Sequence, residues 1–496
     1  MTGRSALTRT ALARAGAALV LLLLVLVVVR LPWIGDLGMH AATLERLRHD
    51  LLHPGNPLVD ADTPSPYYTP WTVPLGWVAG VTGFSVFTVL RIGAVVALAV
   101  LVTGAWRYAR TLSARPVVPP LALLCLVLLW GTTEFSWSGF LGLHSLALTV
   151  AYPSVFALGL AFHLWAWLAR ADGWGSRLGC GLLWAVILLV HQYSGIVASL
   201  GALAVVVGAR HAGRRVWARV AGALALGVVV LWAWPYYDFF ALFGAGDGMD
   251  EVHRSLYRDL WARYWLVLVG VAALVVRWRR DRRDVLVLFF ALGLVVFVAG
   301  GVTGHWSWGR VLPAAVIPAQ LAVAVEVGES GRRAVRWVWA GALGVALVVG
   351  AWGQAGMLGY AVGPGALPGV VADKYREPWE GYGWITRWVG YGDVVMAREF
   401  PSRRIPATGA YTVAPGYTDF FLDDEGERVG AVRRYFSVGV EGVEGVEGVS
   451  GGVRRGIERA YDVRWVVDRG VGVRGDAGLR EVGRGPGGWV LYAVVG

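Results

Sequence analysis

ALARAGAALVLLLLVLVVV, residues 11–29, runs into Arg30-Leu31-Pro32-Trp33 and then Gly35-Asp36-Leu37-Gly38-Met39-His40. The apolar run is about as long as the ~20 residues an α-helix needs to cross a bilayer. Arg4, Arg9 and Arg14 mark its start, and the positive-inside rule assigns that end to the cytoplasm. No small-residue cleavage site follows, and Arg30 to Trp33 reads as an interfacial boundary, so the run is expected to be a retained span. Asp36 then stands where a first membrane helix emerges, ahead of an amphipathic stretch. That placement points to a reactive carboxylate at a membrane surface.

Composition agrees with a multi-spanning membrane protein. Hydrophobic residues make up 56% of the chain and charged residues 16%, and the mean hydropathy is +0.55, far from a soluble globular domain. The net charge of +11 does not indicate nucleic acid, because the arginines cluster in short junctions between apolar runs and build no basic face. Lys374 is the only lysine. Cys125 and Cys180 both fall inside apolar runs and lack metal-ligand spacing, so neither a disulfide nor a metal site is expected from them.

Eleven apolar runs are recognisable, at about 11–31, 85–106, 117–133, 148–168, 178–193, 196–209, 220–234, 262–276, 285–302, 309–326 and 337–355. Arginine falls at every second junction: Arg107/Arg110/Arg115, Arg170/Arg177, Arg210/Arg214/Arg215/Arg219, Arg277 to Arg283, and Arg332/Arg333/Arg336. This alternation predicts a cytoplasmic N-terminus, about eleven transmembrane helices and an extracytoplasmic C-terminus. Arg91 is the exception within a span, near enough to its outer end to snorkel.

The opposite junctions gather different chemistry. The first outer loop, about 32–84, holds Asp36, His40, Glu45, His49, Asp50, His53, Asp60 and Asp62. Leu37, Ala41, Leu44, Leu47, Leu51 and Leu52 recur at helical spacing, which predicts an interfacial helix. Glu45, His49 and His53 on its other face are spaced for a metal, yet suit a solvated surface better. A proline-aromatic segment, Pro64-Ser65-Pro66-Tyr67-Tyr68-Thr69-Pro70-Trp71, follows and cannot be helical throughout. Val73 to Val81 is too short to span and is expected to lie along the membrane. A second outer loop, about 235–261, carries Asp247, Asp250 and Glu251, an acidic group compatible with a divalent metal, and then Arg254 and Arg258. A third outer junction holds His305, Trp306, Trp308 and Arg310.

From about residue 373 the composition becomes that of a soluble domain, joined through a linker at 356–372 to the membrane domain, 1–355. Strands are predicted at Asp393–Met396, Ala407–Val413, Val463–Val467 and Trp489–Val495. Helices are predicted at Trp379–Val389 and Arg454–Arg459, giving a small extracytoplasmic α+β domain. Val438 to Ser450 repeats Val-Glu-Gly and reads as a low-complexity loop.

One span with a charged start, an Asp just outside it, interfacial helices, the Pro66–Pro70 segment, His191 at an outer helix end, Arg310 and a terminal soluble domain together resemble the GT-C glycosyltransferases. The likeness is to the bacterial mannosyl- and arabinosyltransferase kind that use polyprenyl-phosphate sugars. Many members follow the first acid with Glu; this chain has Leu37 there, which leaves no local pair of carboxylates. The resemblance implies Asp36 as catalytic base and Arg310, then Arg254 and Arg258, as cations for the donor phosphate. It implies His40, Tyr67, Tyr68, His191, His305 and Trp306 as residues lining the substrate. The implied partners are a polyprenyl-phosphate-linked sugar, a glycan, lipid or protein acceptor, and membrane lipids, with no required cofactor and room for a divalent metal.

Simpler roles compete with these. Asp36 at a helix start is the type of residue that caps backbone N–H groups, and Arg310 could serve as a helix anchor. Rival activities are an O-antigen-ligase-like glycan ligase or polymerase, and a non-enzymatic transporter or assembly protein. Transporters usually carry ionisable groups near mid-bilayer, whereas here they gather at the outer junctions.

Overall fold

Each of the eleven apolar runs contains a helix in the computed structural model, which describes residues 2–209, 213–244, 250–437, 451–469, 473 and 476–495. The helices are unequal. Among the described residues seven are individually long and apolar enough to cross a membrane, and Leu143–Thr149 with Pro153–Leu168, bent by 117°, would make an eighth. Val118–Leu128 has only 11 residues, and Trp174–Val190 and Gln192–Gly208 have 17 each. At 1.5 Å per residue an 11-residue helix rises about 17 Å, roughly half of a ~30 Å hydrocarbon core. The chain is a polytopic α-helical membrane protein, but not every run spans alone.

The chain divides into two compact units. The first contains residues 1–32, 91–234 and 239–377 and holds the apolar helices. At its centre lies Pro313–Glu329, with only Glu329 among its residues outside the buried or half-buried classes. Neighbouring helices reach it through small residues. A Cβ at Gly270 would collide with the Ala319 backbone, and one at Gly293 with the Ala314 backbone, so close approach of helix axes supplies the packing. The arginine-rich end of this unit is tied by ion pairs. Arg277 meets Asp284 at 2.6 Å, and Arg280 meets the buried Glu326 at 2.8 Å. Asp284 also caps Val285–Thr303, accepting from the Leu286 and Val287 amides. Arg91 donates from Nε to the Val29 carbonyl at 3.0 Å, so this charge within an apolar run is spent on a helix end.

The second unit contains residues 33–90, 235–238 and 378–496. Its five strands are β1 (Val394–Ala397), β2 (Tyr411–Thr412), β3 (Val463–Asp468), β4 (Leu479–Arg484) and β5 (Val490–Val494), in sheet order β2-β1-β3-β5-β4. β1 runs parallel to β2 and β3, while β5 is antiparallel to β3 and β4. Helices Glu425–Ser437 and Gly451–Ala460 lie between β2 and β3 in the chain. Two local expectations fail, and two elements appear that were not foreseen. Trp379–Val389 forms only a 3-10 turn, Gly383–Arg387, because Gly381 and Gly383 interrupt it while Tyr382, Ile385 and Val389 turn into the sheet core. The strand at 407–413 shrinks to two residues, since Gly409 at φ 91° closes a 3-10 turn over Ile405–Thr408. β4 and Glu425–Ser437 were not expected, their charged residues masking the pattern. The Val438–Ser450 loop and Asp247 lie outside the described residues, as do the side chains of Asp250 and Glu251.

The segment after the first apolar helix, residues 33–90, is built into this second unit. The Arg46 Nη2 donates to the Ala410 carbonyl at 2.7 Å, and its guanidinium lies 3.5 Å from the centre of the Tyr411 ring. The Trp379 amide donates to the Trp33 carbonyl at 2.7 Å, and the Thr412 amide to that of Leu58 at 2.9 Å. Asn56 is fully buried and uses its whole amide. Its Nδ2 donates to Asp419 Oδ2 at 2.7 Å and to Thr63 Oγ1 at 3.0 Å, while its Oδ1 accepts from the Leu58 and Val59 amides. Asn56→Ala strands a buried carboxylate and two amides together. It is expected to cost about 2–4 kcal/mol, read as a lowered unfolding midpoint of the full chain in detergent; an unchanged midpoint would show that the loop is held elsewhere.

Candidate functional site

In the second unit, Gly35 at φ 65° turns the chain so that Asp36 opens the helix Leu37–His49. Asp36 occupies the capping position, but its side chain makes no capping hydrogen bond; the cap contact is its own carbonyl accepting the His40 amide at 3.1 Å. The half-buried carboxylate is therefore not consumed by the helix start. Beside it lies Tyr417, whose hydroxyl donates to the Gly35 carbonyl at 3.0 Å. Burial first, and then the negative charge of Asp36, push this phenol well above its ordinary range. The guanidinium of Arg403 faces the same ring at 5.2 Å. Tyr67 packs with Tyr417 over Met39, Ala42 and Leu58, and meets the ring of His40 edge-on at 6.4 Å. Asp36, His40 and Tyr67 thus share one locality, with Tyr417 as a member that no local pattern in the sequence marks.

Other residues of the loop have structural employment. Tyr68 is buried, donates to the Gly55 carbonyl at 2.7 Å and packs against Tyr236 at 5.8 Å, which leaves its ring inside the fold. His49 stacks on Tyr391 at 3.7 Å, while Glu45 sits 3.7 Å from Arg48. Among the described residues no group of three His, Cys, Asp or Glu side chains is placed to hold a metal ion.

The first unit holds a separate cluster around Arg310, which lies in the 3-10 turn Trp306–Val311 just before the central helix. The side chain is almost fully buried and donates from Nη2 to the Ser138 carbonyl at 3.0 Å. Its guanidinium faces Tyr193 at 4.5 Å and Trp137 at 5.2 Å, an aromatic enclosure that stabilises a cation out of water. His191 separates two 17-residue helices and caps the second, its Nδ1 accepting the Ser194 amide at 3.1 Å. That bond makes Nδ1 the acceptor, so a neutral ring carries its proton on Nε2, which lies 3.4 Å from the Ser138 hydroxyl and 3.5 Å from Arg310 Nη2. His253, fully buried, closes the cluster against Trp137 and Tyr193 at 5.6 and 5.7 Å.

Arg254, Arg258 and His305 are exposed. Arg254 lies 5.5 Å over Trp306, which meets Tyr257, and His305 stacks on Trp308 at 5.2 Å. Arg310 and His191 are therefore together, whereas Arg254 with Trp306, and His305 with Trp308, form surface pairs. Trp137 carries no signal of its own in the sequence, because tryptophan at span ends usually belongs to the interfacial belt.

No family model matches the sequence, and no curated protein matches it. Solved structures do. The arabinofuranosyltransferase AftD from Mycobacteria superposes with a TM-score of 0.57 at 14% identity, over 97% of this chain and 40% of AftD. ArnT from Cupriavidus metallidurans, in the apo state, superposes with a TM-score of 0.52 at 15% identity, over 97% of this chain and 98% of ArnT. The chain thus spans about two fifths of AftD and nearly all of ArnT. With its bundle of apolar helices and its small C-terminal sheet, this chain has the GT-C-type membrane glycosyltransferase fold.

Proposed function

We propose that this chain is a glycosyltransferase that moves a sugar from a polyprenyl-phosphate donor to an extracytoplasmic acceptor, a glycan, lipid or protein of the cell envelope. The observation that carries the proposal is the half-buried Asp36 carboxylate, set at a helix start without capping it and neighboured by Tyr417, Tyr67 and His40. Its fold, shared with the arabinofuranosyltransferase AftD, supports the same reaction class. Arginine at alternate junctions supports an outer placement of Asp36 in this reading.

In this reading Asp36 takes the proton of an acceptor hydroxyl as that oxygen attacks the anomeric carbon. Attack opposite the phosphate breaks the anomeric C–O bond, inverts the centre and leaves the electron pair on the polyprenyl phosphate. Arg310 neutralises that developing charge, since a guanidinium stays protonated when buried and its fork matches phosphate oxygens. Arg254 and Arg258, both exposed, are second choices for the same task.

Membranes supplied with a panel of polyprenyl-phosphate sugars test the assignment. Asp36→Asn should lower kcat about 10²–10⁴-fold with little change in unfolding midpoint, and Arg310→Lys about 10²–10³-fold. Transfer by Asp36→Asn at near the parental rate would remove this acid from the chemistry.

His40 serves as a neutral wall in this site. Burial pushes its imidazole down to about 3, so it carries no charge across the range of use. The unfolded chain takes up that proton below about pH 6.5 and the folded chain does not, so this term weakens the fold as pH falls from 6.5 towards 3. The carboxyls of the buried Asp419 and the half-buried Glu425 are pushed up by desolvation and act in the opposite sense, gaining stability on acidification. Between pH 7.5 and 5, His40→Gln should therefore lose about 2 kcal/mol less stability than the parent chain, read from unfolding midpoints at the two pH values. Equal losses would mean that the ring already titrates normally.

A further inference from the structure

We propose that the first unit carries a second, separate site, which binds the phosphate of an anionic membrane phospholipid between Arg107 and Arg170. A cavity of about 290 Å³ is lined by Arg107, His163, Ala166, Trp167 and Arg170. Arg107 lies in the last turns of Val86–Leu112, His163, Ala166 and Trp167 lie in the last two turns of Pro153–Leu168, and Arg170 lies just beyond it. No residue of this cavity belongs to the Asp36 or Arg310 clusters.

The charged groups that line it are both cations. No carboxylate lines the cavity, and among the described residues neither arginine has an acid within ion-pair distance. The acid nearest in sequence, Asp172, is engaged by Arg219 at 3.1 Å. Hydrogen bonding then fixes how the pocket presents itself. The Thr103 hydroxyl donates to the Ala99 carbonyl at 2.7 Å, so it faces His163 Nε2, 3.2 Å away, as an acceptor. The ring proton sits on Nε2, which leaves Nδ1 as a lone pair directed at Arg107 Nη1 at 3.4 Å. His163 is thereby held neutral and steadies one arm of the guanidinium, leaving its other N–H groups for a ligand. The Trp167 indole is fixed in turn by donating to Ser176 Oγ at 2.9 Å.

Two guanidinium groups sharing a cavity repel each other until an anion enters, and a phosphate presents oxygens that both forks can take. The lipid source follows from position. Both helices are apolar runs, Trp167 is exposed, and Arg107 sits about five residues, or roughly 7.5 Å, inside its helix end. A headgroup phosphate resides at that depth beside an arginine-marked junction, where each basic residue adds about 1 kcal/mol of attraction to anionic lipid.

Native mass spectrometry of the full chain in detergent, titrated with phosphatidylglycerol, tests this. Arg170→Gln should weaken the tightest lipid about fivefold, and Arg107→Gln with Arg170→Gln roughly fivefold again. Arg170 is exposed beyond a helix end, so the single variant keeps the test alive if the double variant does not fold. Equal phosphatidylglycerol affinity in parent and Arg170→Gln would overturn the proposal. So would phosphatidylcholine binding with the same parent-to-variant difference, or inorganic phosphate displacing the lipid at equal concentration, which would assign the pocket to a soluble anion.

Discussion

A backbone carbonyl buried in an apolar bundle has no water to turn to, and an unmatched one costs several kcal/mol. This chain meets that constraint most severely where Val118–Leu128 ends early and residues 129–142 continue without a regular ladder. Side chains from other helices supply the missing donors. Gln320 donates to the Leu129 carbonyl at 2.8 Å, and Gln354 donates to Val127 at 3.2 Å while accepting the His144 amide. Arg310 does the same for Ser138. The polar residues of an otherwise apolar bundle are thus distributed by the unpaired backbone they must satisfy. A guanidinium is brought next to His191, Trp137 and Tyr193 as a consequence. The structural role of Arg310 and its proposed role at phosphate do not compete, because one arm of the fork is enough to hold the loop.

The second unit rests on the opposite device, long-range bonds between polar groups far apart in sequence. Asn56 with Asp419, Arg46 with Ala410, and Trp33 with Trp379 join a loop of the amino-terminal third to a sheet made by the last hundred or so residues. Each of these contacts closes a chain loop of some 350 residues, an entropic cost that grows only slowly with length. The loop that carries Asp36 consequently takes its shape from the terminal sheet. A domain that sequence alone would separate from the membrane portion is the scaffold of the proposed base.

Periodicity made the bundle legible. Apolar runs of the right length and arginine at alternate junctions need no tertiary information, and a helix stands in each run. Span count was less legible, since the break at His191 and the 117° bend between Leu143–Thr149 and Pro153–Leu168 arise from packing that composition does not encode. Asp36, His40 and Tyr67 could be grouped because they lie within 32 residues of one another on elements with clear patterns. Tyr417 could not, being a single tyrosine in a stretch of mixed character. The same holds for Ser138, which contributes a carbonyl that any residue type would supply. In the soluble portion, glycines at 381, 383 and 409 outweighed the helix and strand signals around them.

Tyr417 also bears on why Asp36 can serve as a base. A phenol donating directly to a carboxylate would stabilise its charged form and lower its appetite for a proton. Here the Tyr417 proton is aimed at the Gly35 carbonyl. The carboxylate feels the ring as a neighbour whose ionisation it opposes, and the ring stays protonated. Nor do the helix amides hold the carboxylate through a cap. Neither the helix cap nor the Tyr417 hydroxyl takes up the carboxylate, and the Gly35 turn bears on both, since its carbonyl takes the Tyr417 phenol and its left-handed φ sets the approach of Asp36. A side chain at residue 35 would strain that turn. The reactivity proposed for Asp36 accordingly depends on a backbone feature one residue before it as much as on the acid itself.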